Sequence, residues 1–185
     1  MNNISKLYSL KYFENTCKES ESHLYELVES ATTKITLFGL TRNFYAESKM
    51  RSILLEKSKK LPIRVYFLNP FSKFWKERYE LEPKTAKFHN KNKFMSVLYQ
   101  FQHMEDITKN HNGGIKVSIY EFQPSFAIEE IDYTMRVMLY GYLKRGTESP
   151  IFIISKKDPI YNYFKDQLVG LSKKNDLKNI DDILS

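Results

Sequence analysis

Residues 115–141, IKVSIYEFQPSFAIEEIDYTMRVMLYG, constrain this 185-residue chain more than any other stretch. Ile115, Val117 and Ile119 alternate with Lys116, Ser118 and Tyr120, the period of two expected of a strand with one buried face. Asn112-Gly113-Gly114 before it tolerates positive φ. Pro124 cannot donate to a ladder and stops the strand. From Phe126 onward, Ile128, Ile131, Tyr133, Met135, Val137 and Leu139 favour a strand pair or one long bent strand over a helix. Glu129-Glu130 interrupts the alternation, so a bend or bulge is expected there.

The chain ahead of this stretch alternates between the two periodicities. Leu24, Leu27, Val28 and Ala31 have helical spacing, predicting a helix from about residue 20 to 30. Residues 33–40 (TKITLFGL) read as a short apolar strand, followed by a Thr41-Arg42-Asn43 loop. Met50, Ile53 and Leu54 mark a second helix that ends at Lys59-Lys60, before Pro62. Residues 63–68 (IRVYFL) form the next strand, closed by Asn69-Pro70. Two strands joined through an amphipathic helix imply a parallel, right-handed crossover. A short helix is predicted within residues 71–82, ended by Pro83, and a long one over 85–107, with Phe94, Val97, Leu98 and Phe101 on one face. Residues 151–154 give another strand. Ile160, Phe164, Leu168 and Leu171 outline a closing helix, and a short, frayed amphipathic tail follows Asp176. The expected architecture is α/β: about three parallel strands and then added ones, with no linker dividing the chain.

Hydrophobic residues make up 42% and aromatic residues 15%, which excludes a disordered chain. The single Cys17 excludes an intramolecular disulfide framework. With no continuous apolar h-region near the start and no run of membrane-spanning length, a soluble protein of a reducing cytoplasm is expected. The net charge is +7, and residues 56–93 account for all of it, with eleven Lys/Arg against four carboxylates. Such a face suits an anionic partner, a nucleotide or nucleic acid, or is simply a solvated lysine-rich surface.

The phrases KITLFGL, IRVYFLNPFS, IKVSIYEFQP and FAIEEID, in this order, resemble a single phospholipase D-like domain over about residues 20–172, with short extensions at both ends. The hydrophobic-Asn-Pro-x-Ser phrase at residues 68–72, with Arg78 and Glu80 following, is most similar to bacterial relatives that lack the catalytic signature. The resemblance implies a mixed, mainly parallel sheet flanked by helices on both faces. Family chemistry runs through H-x-K-x-x-x-x-D: one His is the nucleophile on phosphorus, another the general acid, and the Lys binds phosphate. Aligning Asp132 with the motif's Asp puts Ser125 at the His position and Ala127 at the Lys position. Without an imidazole there is no phosphohistidine route. The resemblance then implies a non-catalytic binding or sensing module, in a bacterial regulatory or defence setting, that calls for no cofactor. Because one-motif members pair two chains across the site, it is also compatible with a homodimer.

Other chemistry finds thin support. His23, His89, His103 and His111 lack metal-ligand spacing, and standard nucleotide loops are absent, with Gly39 a lone glycine after the first strand. Glu129, Glu130 and Asp132, with Glu121 nearby, form a carboxylate cluster on predicted sheet. Glu130 and Asp132 share a face there and are the candidate acid/base pair of an alternative reading, a nucleotide or nucleoside glycosidase. A plainer reading makes them edge charges paired with Arg136 or the basic segment, and a protein-interaction scaffold is the third possibility. Lys84, Lys87, Lys91 and Lys93, interleaved with Phe88 and Phe94, form the candidate nucleic-acid patch. Ligands of open α/β sheets collect at the carboxyl ends of parallel strands. Those ends supply Arg42, Asn43, Asn69, Ser72 and Ser125, with Arg78, Asp132 and Tyr140 alongside as further candidate ligand-binding residues. Arg42 either holds an anion or pairs with Asp132 or Glu130.

Overall fold

The computed structural model describes residues 11–80, 91–142, 144–174 and 176–184. Chain order is β1 (Tyr12–Phe13), α1 (Lys18–Ser30), β2 (Ile35–Gly39), a 3₁₀ turn (Asn43–Ala46), α2 (Ser48–Ser58), β3 (Ile63–Leu68), α3 (Lys73–Glu80) and α4 (Lys91–Thr108). Then come β4 (Ile115–Tyr120), β5 (Phe126–Ile131), β6 (Thr134–Leu139), a 3₁₀ turn (Gly146–Glu148), β7 (Ile151–Ser155), α5 (Tyr161–Ser172), β8 (Lys178–Asn179) and α6 (Asp181–Leu184). The strands form one sheet in the order β1-β7-β6-β5-β2-β3-β4-β8. No described helix is long and apolar enough to cross a membrane.

The expected βαβ crossover is present, with β2, β3 and β4 parallel and in the register Ile35, Ile63, Ile115. The sheet as a whole is mostly antiparallel, not mainly parallel. β5 lies antiparallel to β2, and β6, β7 and β1 continue antiparallel beyond it, with β8 antiparallel on β4 at the other edge. Loop length decides this. β5 and β6 are joined only by Asp132 and Tyr133, and a two-residue link can make only an antiparallel pair. The bend expected at Glu129-Glu130 is also absent, because β5 pairs with β6 without interruption from Phe126↔Leu139 to Ile131↔Thr134. The chain reverses three residues later, at Asp132, whose φ is 50°. The tail after Asp176 is not frayed: β8 pairs with β4, and Ile180 is buried.

Two apolar layers hold the sheet. On one face Leu37, Val65, Phe67 and Val117 lie beneath α1, α2 and α4. There the Phe101 ring meets Phe67 edge-on at 4.9 Å. On the other face Phe38, Tyr120, Phe122 and Phe126 form an aromatic cluster capped by Phe164 of α5. Full burial of each such side chain stabilises by roughly 1.5–3 kcal/mol. The parity of β5 consequently sends Glu129 towards α1 and α4, and Glu130 towards α5.

Asp132 closes the end of the sheet where the parallel strands begin. One carboxylate oxygen accepts from the Thr32 amide (2.9 Å) and hydroxyl, and the other from the amides of Thr33 (2.8 Å) and Lys34 (3.1 Å) and the Thr33 hydroxyl (2.7 Å). Burial alone would raise its pKa, but these donors hold the carboxyl down at about 2, against an ordinary 3.8. Its stabilisation is therefore complete above pH 3.8 and disappears as pH falls through about 2. Asp132→Ala is expected to cost about 2 kcal/mol at neutral pH. In urea melts the gap from the parent should narrow below pH 3; a pH-independent gap would show that the ionised carboxylate contributes nothing.

Candidate functional site

Beyond Gly39 the chain passes through Leu40 and Thr41 into Arg42, which adopts left-handed φ 49°, ψ 30°. Two tyrosines fix the peptides at this corner: Tyr120 donates its hydroxyl to the Gly39 carbonyl, and Tyr140 accepts from the Leu40 amide, both at 3.1 Å. The turn folds the Arg42 side chain back over β2, where Nη2 donates to the Phe38 carbonyl (2.6 Å) and Nη1 to Glu129 Oε1 (3.0 Å). A Cβ on Gly39 would stand 1.6 Å from Arg42 Nη2. Gly39 is thus a seat for a guanidinium and not part of a phosphate loop.

Glu129 lies between two arginines. Arg136, directly opposite on β6, donates Nε to Glu129 Oε2 at 2.8 Å. Its Nη1 donates to the Ser20 carbonyl and to His23 Nδ1, both at 3.0 Å, and its Nη2 to Ser20 Oγ at 2.9 Å. Burial pushes the Glu129 carboxyl up, but Arg136 and Arg42 outweigh it and hold the group below the usual carboxylate range. Burial, and then Arg136, push His23 below its ordinary value. Its Nδ1 must accept, because a guanidinium can only donate.

These groups border a cavity of about 520 Å³ at the C-terminal end of β2. Leu24, Phe44, Trp75, Phe94, Met138 and Tyr140 supply apolar wall, the Trp75 and Phe94 rings stacking at 4.6 Å. Among the described residues, four cations line it (Arg42, Lys93, Arg136, Arg145) against three carboxylates (Glu21, Glu47, Glu129). Three buried polar atoms of its lining, Arg42 Nε, Asn43 Oδ1 and Tyr45 Oη, have no hydrogen-bond partner among the described residues, Tyr45 lying close enough to Glu129 to help hold its carboxyl down. Buried polar atoms are rarely left so, since each unmade bond costs about 1–3 kcal/mol.

Arg42, Asn43 and Tyr140 of the sequence candidates meet at this cavity, and Lys93 reaches it from α4. The others are placed elsewhere. Asn69 joins Glu121 and accepts from the Phe71 amide, while Ser72 Oγ accepts from the Trp75 amide as a cap of α3. Arg78 donates to the carbonyls of Gly141 and Lys144 and lies over the Tyr140 ring. Ser125 is exposed. Glu130 and Asp132 do not act as a pair on one face. Glu130 faces α5, held by Lys34 (2.6 Å), Lys165 (2.9 Å) and the Tyr161 hydroxyl (3.0 Å), and Asp132 sits at the opposite end of the sheet. The partner of Arg42 is accordingly Glu129, neither of the two expected. Lys91 lies over the Phe71 ring, and Lys84 and Lys87 fall outside the described residues. Among the described residues, no group of three His, Cys, Asp or Glu could hold a metal ion.

The sequence reading missed Glu129, Arg136 and Tyr45 as cavity residues. One signal was available: Glu129 and Arg136 are equidistant from Asp132-Tyr133, so a tight hairpin there makes them cross-strand partners.

Because Gly39 and Arg42 share one space, their substitutions should couple. Gly39→Ala expels the guanidinium and removes one partner of a buried carboxylate, at an expected cost of about 3 kcal/mol. Adding Gly39→Ala to Arg42→Ala should cost far less than that in urea denaturation. Additive losses would place the guanidinium elsewhere.

No protein-family model matches the chain, and no curated protein matches it in sequence. Solved structures do share its fold. TrmBL2, an archaeal chromatin protein whose structure is described as showing a novel mode of DNA binding, superposes with a TM-score of 0.55 at 10% identity, over 91% of this chain and 54% of that one. A phosphatidylserine synthase of Haemophilus influenzae Rd KW20 superposes with a TM-score of 0.52 at 8% identity, over 93% of this chain and 40% of that one. The chain thus spans about half or less of the proteins it resembles. At these identities the likeness is one of fold: an α/β mixed sheet consistent with the phospholipase D-like class.

Proposed function

We propose that this chain is a non-catalytic phospholipase D-like module that binds a small anionic ligand, a nucleotide in the first instance, in the cavity beyond β2. One observation carries the reading. Arg42 Nε, Asn43 Oδ1 and Tyr45 Oη are buried and unpartnered around a cavity whose cations outnumber its carboxylates. An anion accepts from the guanidinium and the phenol. A ligand hydroxyl or amine donates to Asn43 Oδ1, and a ring or ribose packs on the apolar wall. A nucleotide has all of these parts.

The absence of catalysis rests on the motif alignment. Ser125 cannot form a phosphohistidine, and Ala127 cannot hold a phosphate. Nor does either carboxylate of the alternative reading offer a free group, since Glu130 is saturated by two lysines and a tyrosine, and Asp132 by the backbone of residues 32–34. The purified protein is expected to show no metal-independent hydrolysis of a generic phosphodiester. Turnover abolished by Asp132→Ala would refute the alignment.

A thermal-shift screen of nucleoside mono-, di- and triphosphates tests the binding reading. A ligand at 100 times its Kd stabilises by about 2.7 kcal/mol, a shift of several degrees for a chain of this size. Tyr45→Phe and Asn43→Ala should remove most of that shift while leaving the unliganded melting temperature near or above the parent's, because each deletes an unsatisfied atom. Undiminished stabilisation in both variants, or no response to any nucleotide in the parent, would overturn the assignment.

A further inference from the structure

The opposite face of the sheet carries a second concentration of charge that neither the fold nor the cavity requires. Register places Glu130, Thr36, Arg64 and Lys116 side by side across β5, β2, β3 and β4, all pointing to the α5 face. α5 covers the β5 end of this row. There Lys34 and Lys165 both close on Glu130 at 2.6 and 2.9 Å, each with about a third of its side chain exposed. Over β3 and β4 the covering stops. Arg64 and Lys116 are exposed, while Thr36 and Tyr66 beside them are buried.

Arg64 and Lys116 are direct cross-strand partners. Like charges facing each other on adjacent strands destabilise a sheet. Neither makes an ion pair among the described residues, whereas every other cation named on this face has its carboxylate. The two stand in a small polar groove of about 260 Å³, completed by Tyr66, Ser118, Ser172, Leu177 and Asn179. Among the described residues its lining contains no acid, and its hydroxyls and amide can bond a phosphate oxygen.

We infer that the Arg64–Lys116 groove, extended by Lys34 and Lys165, is a phosphate-binding stripe for the backbone of a nucleic-acid strand. Strands lie about 4.8 Å apart, so the row from β5 to β4 spans roughly 14 Å. That length suits successive backbone phosphates better than one small anion. The stripe lies across the sheet from the cavity and shares no residue with it, so the two sites stand or fall separately. It also lies apart from Lys91, which is placed over Phe71, and from Lys93, which is placed at the cavity.

Fluorescence anisotropy of a labelled 20-nucleotide single strand, titrated at several salt concentrations, provides the test. Arg64→Gln/Lys116→Gln should weaken binding by about tenfold or more at low salt and flatten the slope of log K against log [salt] by about 1.4, the release expected from two lost phosphate contacts on a single strand. The double variant should melt at or above the parent temperature, because a repulsion has been removed; a purely structural pair would give a lower one. Asn43→Ala should bind the strand as the parent does. Equal affinity and slope in parent and double variant would overturn the proposal. So would a parent that ignores the strand but is stabilised by inorganic phosphate through Arg64, which would make the groove a small-anion site.

Discussion

The carboxylate of Glu129 is what the arrangement at the head of the sheet depends on. It is buried, with Arg42 on one oxygen at 3.0 Å and Arg136 on the other at 2.8 Å. Through these bonds it joins β5 to β6, to α1 by way of Ser20, and to the turn that follows β2. Two guanidiniums share one carboxylate, which leaves a positive charge in a place where charge is costly. The protein spreads that cost by directing other N–H groups of the two arginines, Arg42 Nε excepted, to the Phe38 and Ser20 carbonyls and to the neutral ring of His23. Arginine suits the position because its planar fork serves several acceptors at once, as an ammonium cannot.

The same ion cluster bears on the acid/base reading of a carboxylate-rich strand. A general acid needs a pKa raised towards neutrality. Glu129 is instead held below the usual range by its two arginines, and Asp132 by its ring of amides and hydroxyls. Glu130, also buried, has its oxygens occupied by Lys34, Lys165 and Tyr161. Each acid of β5 and its turn organises structure, and the unfilled hydrogen-bonding capacity of the cavity lies on Arg42, Asn43 and Tyr45.

Much of the fold was legible because periodicity is a local signal. The β2-α2-β3 unit, β4, α4 and α5 all follow from spacing within one segment, and positions such as Leu37, Val65 and Phe101 are as buried as the pattern required. What escaped was set by a single turn. Glu129-Glu130 looks like an interruption on paper because both side chains are charged. Yet in a strand buried on both faces each can find cations, Glu129 those of β6 and the Arg42 turn, Glu130 those of Lys34 and α5. Once Asp132-Tyr133 is the hairpin, strand direction reverses, Asp132 moves to the far end of the sheet, and Glu129 takes its place beside Arg42. The left-handed backbone of Arg42 had no local signature at all, because the residue that permits its side chain to fold back is Gly39, three positions earlier.

The two faces of the sheet treat positive charge in opposite ways, and the contrast bears on what each can do. Around the cavity the arginines are desolvated, so each had to be answered by Glu129 and by carbonyls. An anion entering there competes with an existing network and gains chiefly from the unpartnered Nε and Tyr45 hydroxyl. Across the sheet, Arg64 and Lys116 keep their hydration, and water screens their mutual repulsion to a small cost. Charges of that kind bind weakly, exchange quickly and respond steeply to salt, as suits an extended polyanion held at several points. The head of the sheet, with its fixed donors and aromatic wall, has instead the features that the proposed small-ligand reading calls on.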